Sequence, residues 1–282
     1  MKGLIALDID GTLTPPGKAI AWEVVHYLNE LINNHWQLVF ITGRTFHFGY
    51  QVVSHLPFPF YYAVQNGAIT LEMPSRTILN KRLLDKSVIP LMEKVCEGQP
   101  SDFVIYTGFE QDDICFYRPH CFSNELRDYL KARTQRFKET WIDVPNFDGP
   151  NINEFASVKC FGNLESATLI ADRIERLIGL HVPLIRDPFN QDYYVAQAIH
   201  GDVSKGSVVK YLKEILKPDI TIAAGDDYND LPMLSAADIK IVMSTAPIDM
   251  HRHADIIAPK AEEHGIIAGI NQAISKIKKI KK

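Results

Sequence analysis

Apolar residues along this chain follow two rhythms. In the first and last thirds, short unbroken runs alternate with longer amphipathic stretches. Residues 4–7, 37–41 and 61–64 are such runs and read as buried strands. Between the first two, residues 19–34 carry Ile20, Val24, Tyr27, Leu28, Leu31 and Ile32 at helical spacing, with Asn33-Asn34 as a stop. A helix follows the second run, up to the breaker Pro57-Phe58-Pro59. Asn66-Gly67 marks a turn after the third. The last third resumes with a helix over 205–216, strands over 220–224, 239–243 and 255–258, and a closing helix over 265–277. Such alternation predicts an α/β domain with a parallel sheet flanked by helices.

The middle of the chain has a different rhythm. Its strands, over 103–106, 114–117, 157–161 and 193–199, are rich in aromatic residues, with helices over 123–137 and 166–179. Several pair a polar face with an apolar one, as antiparallel strands covered on one side do. The expected organisation is a core built from 1–82 and 199–282, interrupted by an inserted α+β domain over 83–198.

Charge and composition narrow the function. The net charge of -4 gives no support for nucleic-acid or anionic-membrane binding. The one basic run, at 276–282, reads as a solvated tail. Cys96, Cys115, Cys121 and Cys160 form no CxxC pair and have no His at zinc-finger spacing, which fits reduced thiols in a cytoplasmic protein. The apolar run before Asp8 is too short for a signal-peptide core or a membrane span.

Four stations carry the chemistry. Asp8-Ile9-Asp10-Gly11-Thr12 follows the first strand, and carboxylates two residues apart lie on one side of an extended chain. Like charges that close need a cation or a shared proton. Thr42, in Ile41-Thr42-Gly43-Arg44, ends the second strand, where ligands of parallel sheets collect and free N–H groups suit a phosphate oxygen. Lys205 sits in the first turn of a helix that Ser204 can cap. A cation there opposes the helix dipole, so it answers to something anionic outside the helix. Gly225-Asp226-Asp227-Tyr228-Asn229-Asp230 crowds three carboxylates and an amide onto one strand-to-helix turn, a donor set that suits Mg²⁺.

In this order the stations resemble the haloacid dehalogenase-like phosphatases. The large insert between the second and third resembles that of the Cof-type, subfamily IIB members. The resemblance implies a Rossmann-like core with an inserted cap domain. It implies that Asp8 is the nucleophile, forming an aspartyl-phosphate, and Asp10 the general acid and base. Thr42, Lys205 and Asn229 would hold phosphate. Asp8, Asp226 and the Asp10 main-chain carbonyl would hold Mg²⁺. Gly43, Asp230 and Asn66 would support the site, although Asn66-Gly67 is read equally well as a plain turn.

The implied substrate is a small phosphate ester, most simply a sugar phosphate, with selectivity in the insert acting as a lid. Insert candidates for that role are Tyr106, Asp112, Asp113, Arg118 and Asp192, none of them singled out. The expected partners are the small-molecule substrate alone, with no nucleic acid and no membrane, in a monomer or weak homo-oligomer. Two alternatives stay open: a phosphomutase or phosphotransferase with the same first step, and a non-catalytic ligand-binding protein on this fold.

Overall fold

The computed structural model describes residues 2–99, 101–187, 190 and 192–280. The chain first forms β1 (Gly3–Leu7), α1 (Trp22–Asn33), β2 (Trp36–Ile41), α2 (Phe46–Val53), β3 (Phe60–Val64), β4 (Ile69–Met73) and β5 (Thr77–Lys81). There follow β6 (Leu84–Asp85), α3 (Val88–Cys96), β7 (Phe103–Tyr106), β8 (Cys115–Tyr117), α4 (Asn124–Phe137) and β9 (Trp141–Asp143). Next come β10 (Glu154–Phe155), β11 (Ser157–Gly162), α5 (Leu164–Ile178), β12 (Leu184–Arg186) and β13 (Tyr194–Ala198). The chain closes with α6 (Lys205–Leu216), β14 (Ile220–Gly225), α7 (Leu231–Ala236), β15 (Ile239–Met243), β16 (Ile256–Ala258) and α8 (Gly265–Ile280). It divides into two units. One comprises Met1–Gly43, Gln51–Asn80 and Ser204–Lys282; the other comprises Arg44–Tyr50 and Lys81–Val203.

In the first unit the described strands form one sheet in the order β16-β15-β14-β1-β2-β3-β4-β5. Pairing is parallel from β16 through β3. An all-parallel sheet is the sequence expectation, and β4 corrects it by pairing antiparallel with β3. The reason is local. The short 3-10 turn Gln65–Gly67, with Asn66 left-handed at φ 56°, reverses the chain in too few residues for a crossover helix.

All of β1 is buried, because both faces of the sheet are covered. On one face Leu4, Ala6, Val39, Ile41 and Ala63 pack against Val208, Val209 and Leu212 of α6 and Met233 and Leu234 of α7. Each such aliphatic side chain contributes roughly 1.5–3 kcal/mol on burial. That packing fixes the strand ends that carry the acidic residues. α1 starts three residues later than periodicity predicts. The Thr14 hydroxyl donates to the Lys18 and Ala19 carbonyls at 3.2 and 2.9 Å and holds that segment outside the helix.

In the second unit the main sheet has the order β12-β13-β11-β7-β8-β9. Its pairs are antiparallel except β8 with β9. Val158 and Cys160 of β11 face Met92 of α3 and Ile170 and Ile174 of α5. Tyr106, Phe161 and Val195 face Leu126 and Leu130 of α4. A one-sided sheet is the expectation for this region; instead helices pack on both faces, and the polar residues Ser157, Lys159 and Gln197 are buried. The four cysteines are free thiols. Among the described residues no helix is long and apolar enough to cross a membrane.

Candidate active site

The acidic residues meet because the strands that precede them are neighbours. β14, β1 and β2 lie side by side, with Leu7 level with Ala224 on one side and Phe40 on the other. The residues that follow these strands, Asp8, Asp226 and Thr42, therefore emerge at one edge, the carboxyl ends where ligands of such sheets bind. The Asp8 amide still donates to the Ala224 carbonyl at 3.1 Å, and the Thr42 amide to Ala63 at 2.9 Å.

After Asp8 the chain folds tightly on itself. Leu13 and Thr14 both donate their amides to the Ile9 carbonyl at 3.0 Å, and Gly11 donates to Thr14 at 2.8 Å. Gly11 has φ +83°, and a Cβ there would run into the Asp226 carboxylate. Only glycine meets both conditions at this point. The turn aims Thr12 at the late acidic loop, and its hydroxyl donates to Asp226 Oδ1 at 2.7 Å.

Lys205 begins α6, behind a capping box in which Ser204 and Ser207 each accept from the other's backbone N–H. Its side chain is only 2% exposed. The ammonium donates to Asp8 Oδ1 at 2.5 Å and to Asp230 Oδ1 at 2.6 Å. The other Asp230 oxygen accepts from the Asp226 and Asp227 amides at 2.9 and 3.1 Å, which sets the shape of the 225–230 turn. Asn229 Nδ2 donates to Asn66 Oδ1 at 3.2 Å, and the Asn66 amide donates to the Thr42 carbonyl at 2.8 Å. Asn66 thus links the ends of β2 and β3 to the late acidic turn.

Asp8, Asp226 and Asp230 each offer an oxygen within 4.8 Å of the others. Charge in this trio is unbalanced. Burial raises the Asp8 pKa, Lys205 lowers it, and Asp230 and Asp10 raise it again, leaving it at about 7. Burial first, then Asp8 and Asp230, push the Asp226 carboxyl well above the usual carboxylate range, against the pull of the Thr12 hydroxyl. Burial opposes the Lys205 ammonium, but Asp230 and Asp8 outweigh it and hold its pKa above the ordinary 10.5. One ammonium does not offset so many carboxylates. The all-oxygen donor set is therefore suited to a hard divalent cation.

The structure brings together Asp8, Lys205, Asp226 and Asp230, with Asn229 on Asn66 and Thr42 on the adjoining strand end. The Asp10 side chain is half-buried and lies outside the carboxylate trio, though its charge reaches Asp8. Gly43 is the last residue of its segment of the first unit. Thr12 is the site residue that sequence reasoning passes over; its place in the first acidic motif was the available signal.

The insert candidates divide. Tyr106 is fully buried. Arg118 is held by Asp102 at 2.7 and 2.9 Å and by Glu93 at 2.6 Å. Asp113 accepts from the His47 amide at 2.7 Å. Asp112 and Asp192 are exposed.

Comparison with known proteins gives the class. The family described as haloacid dehalogenase-like hydrolase matches residues 5–270, and the chain belongs to it. A protein of Mycoplasma pneumoniae, provisionally named a phosphatase, is 25% identical over 292 residues and covers 97% of each chain. Phosphatase YwpJ of Bacillus subtilis is 24% identical, covering 93% of this chain and 96% of that one. A haloacid dehalogenase-like hydrolase of Bacteroides thetaiotaomicron superposes with a TM-score of 0.78 at 21% identity, over 97% of this chain and 100% of that one. The subclass IIB sugar phosphatase BT4131 does so with a TM-score of 0.72 at 18% identity, over 96% and 98%. At these identities the structural likeness speaks for the fold.

Proposed function

We propose that this hydrolase is a Mg²⁺-dependent phosphatase that cleaves a small phosphate monoester through an aspartyl-phosphate on Asp8. The observation that carries the reading is the buried Lys205 ammonium shared by Asp8 and Asp230, with Asp226 alongside. Family membership and the relatives' names support it.

Lys205 holds Asp8 Oδ1 and so orients the carboxylate, leaving Oδ2 to attack phosphorus. As the new P–O bond forms, the bond to the leaving alcohol breaks. Asp10, acting as the acid, gives its proton to that oxygen. Asp10 then takes a proton from water as the water attacks the same phosphorus. The bond to Asp8 breaks, and inorganic phosphate and the free carboxylate result. Thr42 and Asn229 would hold phosphate oxygens. Asp8, Asp226 and the Asp10 carbonyl would hold Mg²⁺, which supplies charge stabilisation to the transferring phosphoryl group.

The leaving group is assigned to a sugar. The fold shared with a sugar phosphatase supports this, and selectivity is assigned to the inserted unit, whose residues the chemistry leaves free. The free thiols are consistent with a reducing compartment, the cytoplasm. The test is phosphate release from a panel of sugar and other phosphomonoesters, with and without Mg²⁺. Release that requires Mg²⁺ and disappears in Asp8→Asn is the expected result. No release from any ester, or full release by Asp8→Asn, removes the proposal.

A further inference from the structure

The hairpin between β3 and β4 has a buried tip. Val64 pairs with Ile69, so the chain reverses over residues 65–68, at the same sheet edge as Asp8 and Thr42. Connecting turns normally lie in solvent, yet Gln65 is 0% exposed and Asn66 1%. Gln65, Asn66 and Gly67 all have positive φ, at 53°, 56° and 106°. Such backbone is costly for residues other than glycine, and that cost collects at functional sites. An Asn-Gly pair suits a tight hairpin turn by itself. Burial of the Asn66 amide is what the turn alone does not explain.

The tip touches three parts of the candidate site. The Asn66 backbone N–H donates to the Thr42 carbonyl at 2.8 Å. Gly67 lies against the start of α6, where a Cβ would meet Val208 and the Ser204 carbonyl. The Asn66 side chain reaches the late acidic turn, and its Oδ1 accepts from Asn229 Nδ2 at 3.2 Å. This last bond selects one of two orientations for the Asn229 amide. A primary amide has two N–H donors at one end and an acceptor at the other. With Nδ2 on Asn66, one N–H is engaged and the second remains to donate. Turned over, the amide would set its own carbonyl against Asn66 Oδ1, two acceptors facing each other, and would offer no donor at that end to an anion.

We propose that Asn66 is a positioning residue for phosphate binding: its Oδ1 holds the Asn229 amide so that the second N–H of Nδ2 donates to a phosphate oxygen. This rests on the phosphatase reading, in which Asn229 holds phosphate. Asn66 acts there through Asn229 and not through the metal or the nucleophile.

Asn66→Gly isolates the side chain, because glycine accepts the positive φ and keeps the backbone N–H that bonds Thr42. Calorimetric titration of the full chain with orthophosphate in the presence of Mg²⁺ compares wild type, Asn66→Gly, Asn229→Ala and the double variant. A titration with Mg²⁺ alone accompanies it. Each single substitution should weaken orthophosphate about tenfold. The double variant should bind it no more weakly than Asn229→Ala does, since the two side chains act as one unit. Mg²⁺ affinity should be unchanged in Asn66→Gly, whereas a turn that only props up the site would lose both ligands together. Three outcomes overturn the proposal while leaving phosphate release by the wild type intact: orthophosphate affinity unchanged in Asn66→Gly, additive losses in the double variant, or an equal loss of Mg²⁺ affinity. A wild type that neither releases nor binds phosphate overturns the phosphatase reading, and this proposal with it.

Discussion

Two buried lysines show how neighbouring carboxylates decide what a buried charge does. Lys205 and Lys159 are 2% and 4% exposed. Lys205 meets two carboxylates and keeps its proton. Lys159 has its Nζ 4.2 Å from the Tyr106 ring centroid and no acid within 4 Å among the described residues. Burial lowers the Lys159 pKa to about 8, with Arg133 adding to the effect and Glu139 resisting it. Substitution by methionine should therefore have opposite signs at the two positions. Lys205→Met leaves Asp8 and Asp230 uncompensated and should cost roughly 3–5 kcal/mol along with all turnover. Lys159→Met removes a desolvation penalty and should stabilise at pH 7 by on the order of 1–3 kcal/mol.

The pH dependence follows from the direction of the Lys159 shift. Its folded pKa of about 8 lies below the ordinary 10.5. Below pH 8 both states carry the proton, and the folded state bears the whole penalty. Between pH 8 and 10.5 the unfolded chain binds more protons, so the wild type gains stability as pH rises. The melting-temperature advantage of Lys159→Met should be largest below pH 8 and shrink towards pH 10.5. A flat difference in calorimetry across that range, or a loss at pH 7, contradicts the argument.

At the scale of elements, the turn after β3 and the start of α6 depend on each other. Gly67 has φ +106°, and a Cβ there would lie 2.5 Å from Val208 Cγ2 and 3.0 Å from the Ser204 carbonyl. Gly67→Ala must strain the turn and push back the helix end that carries Lys205. A loss of about 1–3 kcal/mol is expected, with kcat falling more than KM rises, because the displaced ammonium holds Asp8, the proposed nucleophile. Melting and steady-state assays check both parts, and an alanine variant with wild-type kcat would show that Lys205 is placed independently of this turn.

The same elements show what the chain discloses beforehand. α6 and β15 are legible to their ends, since Ser204 announces one and an apolar run broken only by Lys240 defines the other. β4 is passed over although Ile69, Leu71 and Met73 alternate with Thr70 and Glu72 at the period of a strand, because alternation does not say which neighbour the strand joins or in which direction. The four stations are legible as a motif because three of them follow strand ends and the fourth, Lys205, opens a capped helix. The Thr12 bond to Asp226, across 214 positions, follows only once β1 and β14 are known to be neighbours. The burial of Lys159 is legible in no local pattern, since helix α4 covers a sheet face whose alternation reads as exposed.

For the molecule as a whole, the candidate active site is assembled from the two ends of an interrupted chain. Lys205 reaches Asp8 across 197 positions, with the inserted unit between them. A cation held by Asp8 and Asp226 would tie β1 to β14, so its binding energy would appear as added stability of the first unit. At a hundred times the dissociation constant the gain is about 2.7 kcal/mol. Hydrogen exchange should localise it. Added Mg²⁺ is expected to slow exchange in 3–10 and 220–230, while 81–203 keeps its metal-free rates. Asp226→Asn should abolish the protection while leaving the Lys205 bridge to Asp8 and Asp230 in place. The Asp226 side chain makes no bond to that bridge, and the amide it donates to Asp230 is kept by asparagine, so metal loss and collapse of the site are separable readings. If Mg²⁺ protected only the inserted unit, or protected the Asp226→Asn variant equally, the carboxylates at the strand ends would not be the metal's ligands. The repulsion among them would then need a different counter-charge.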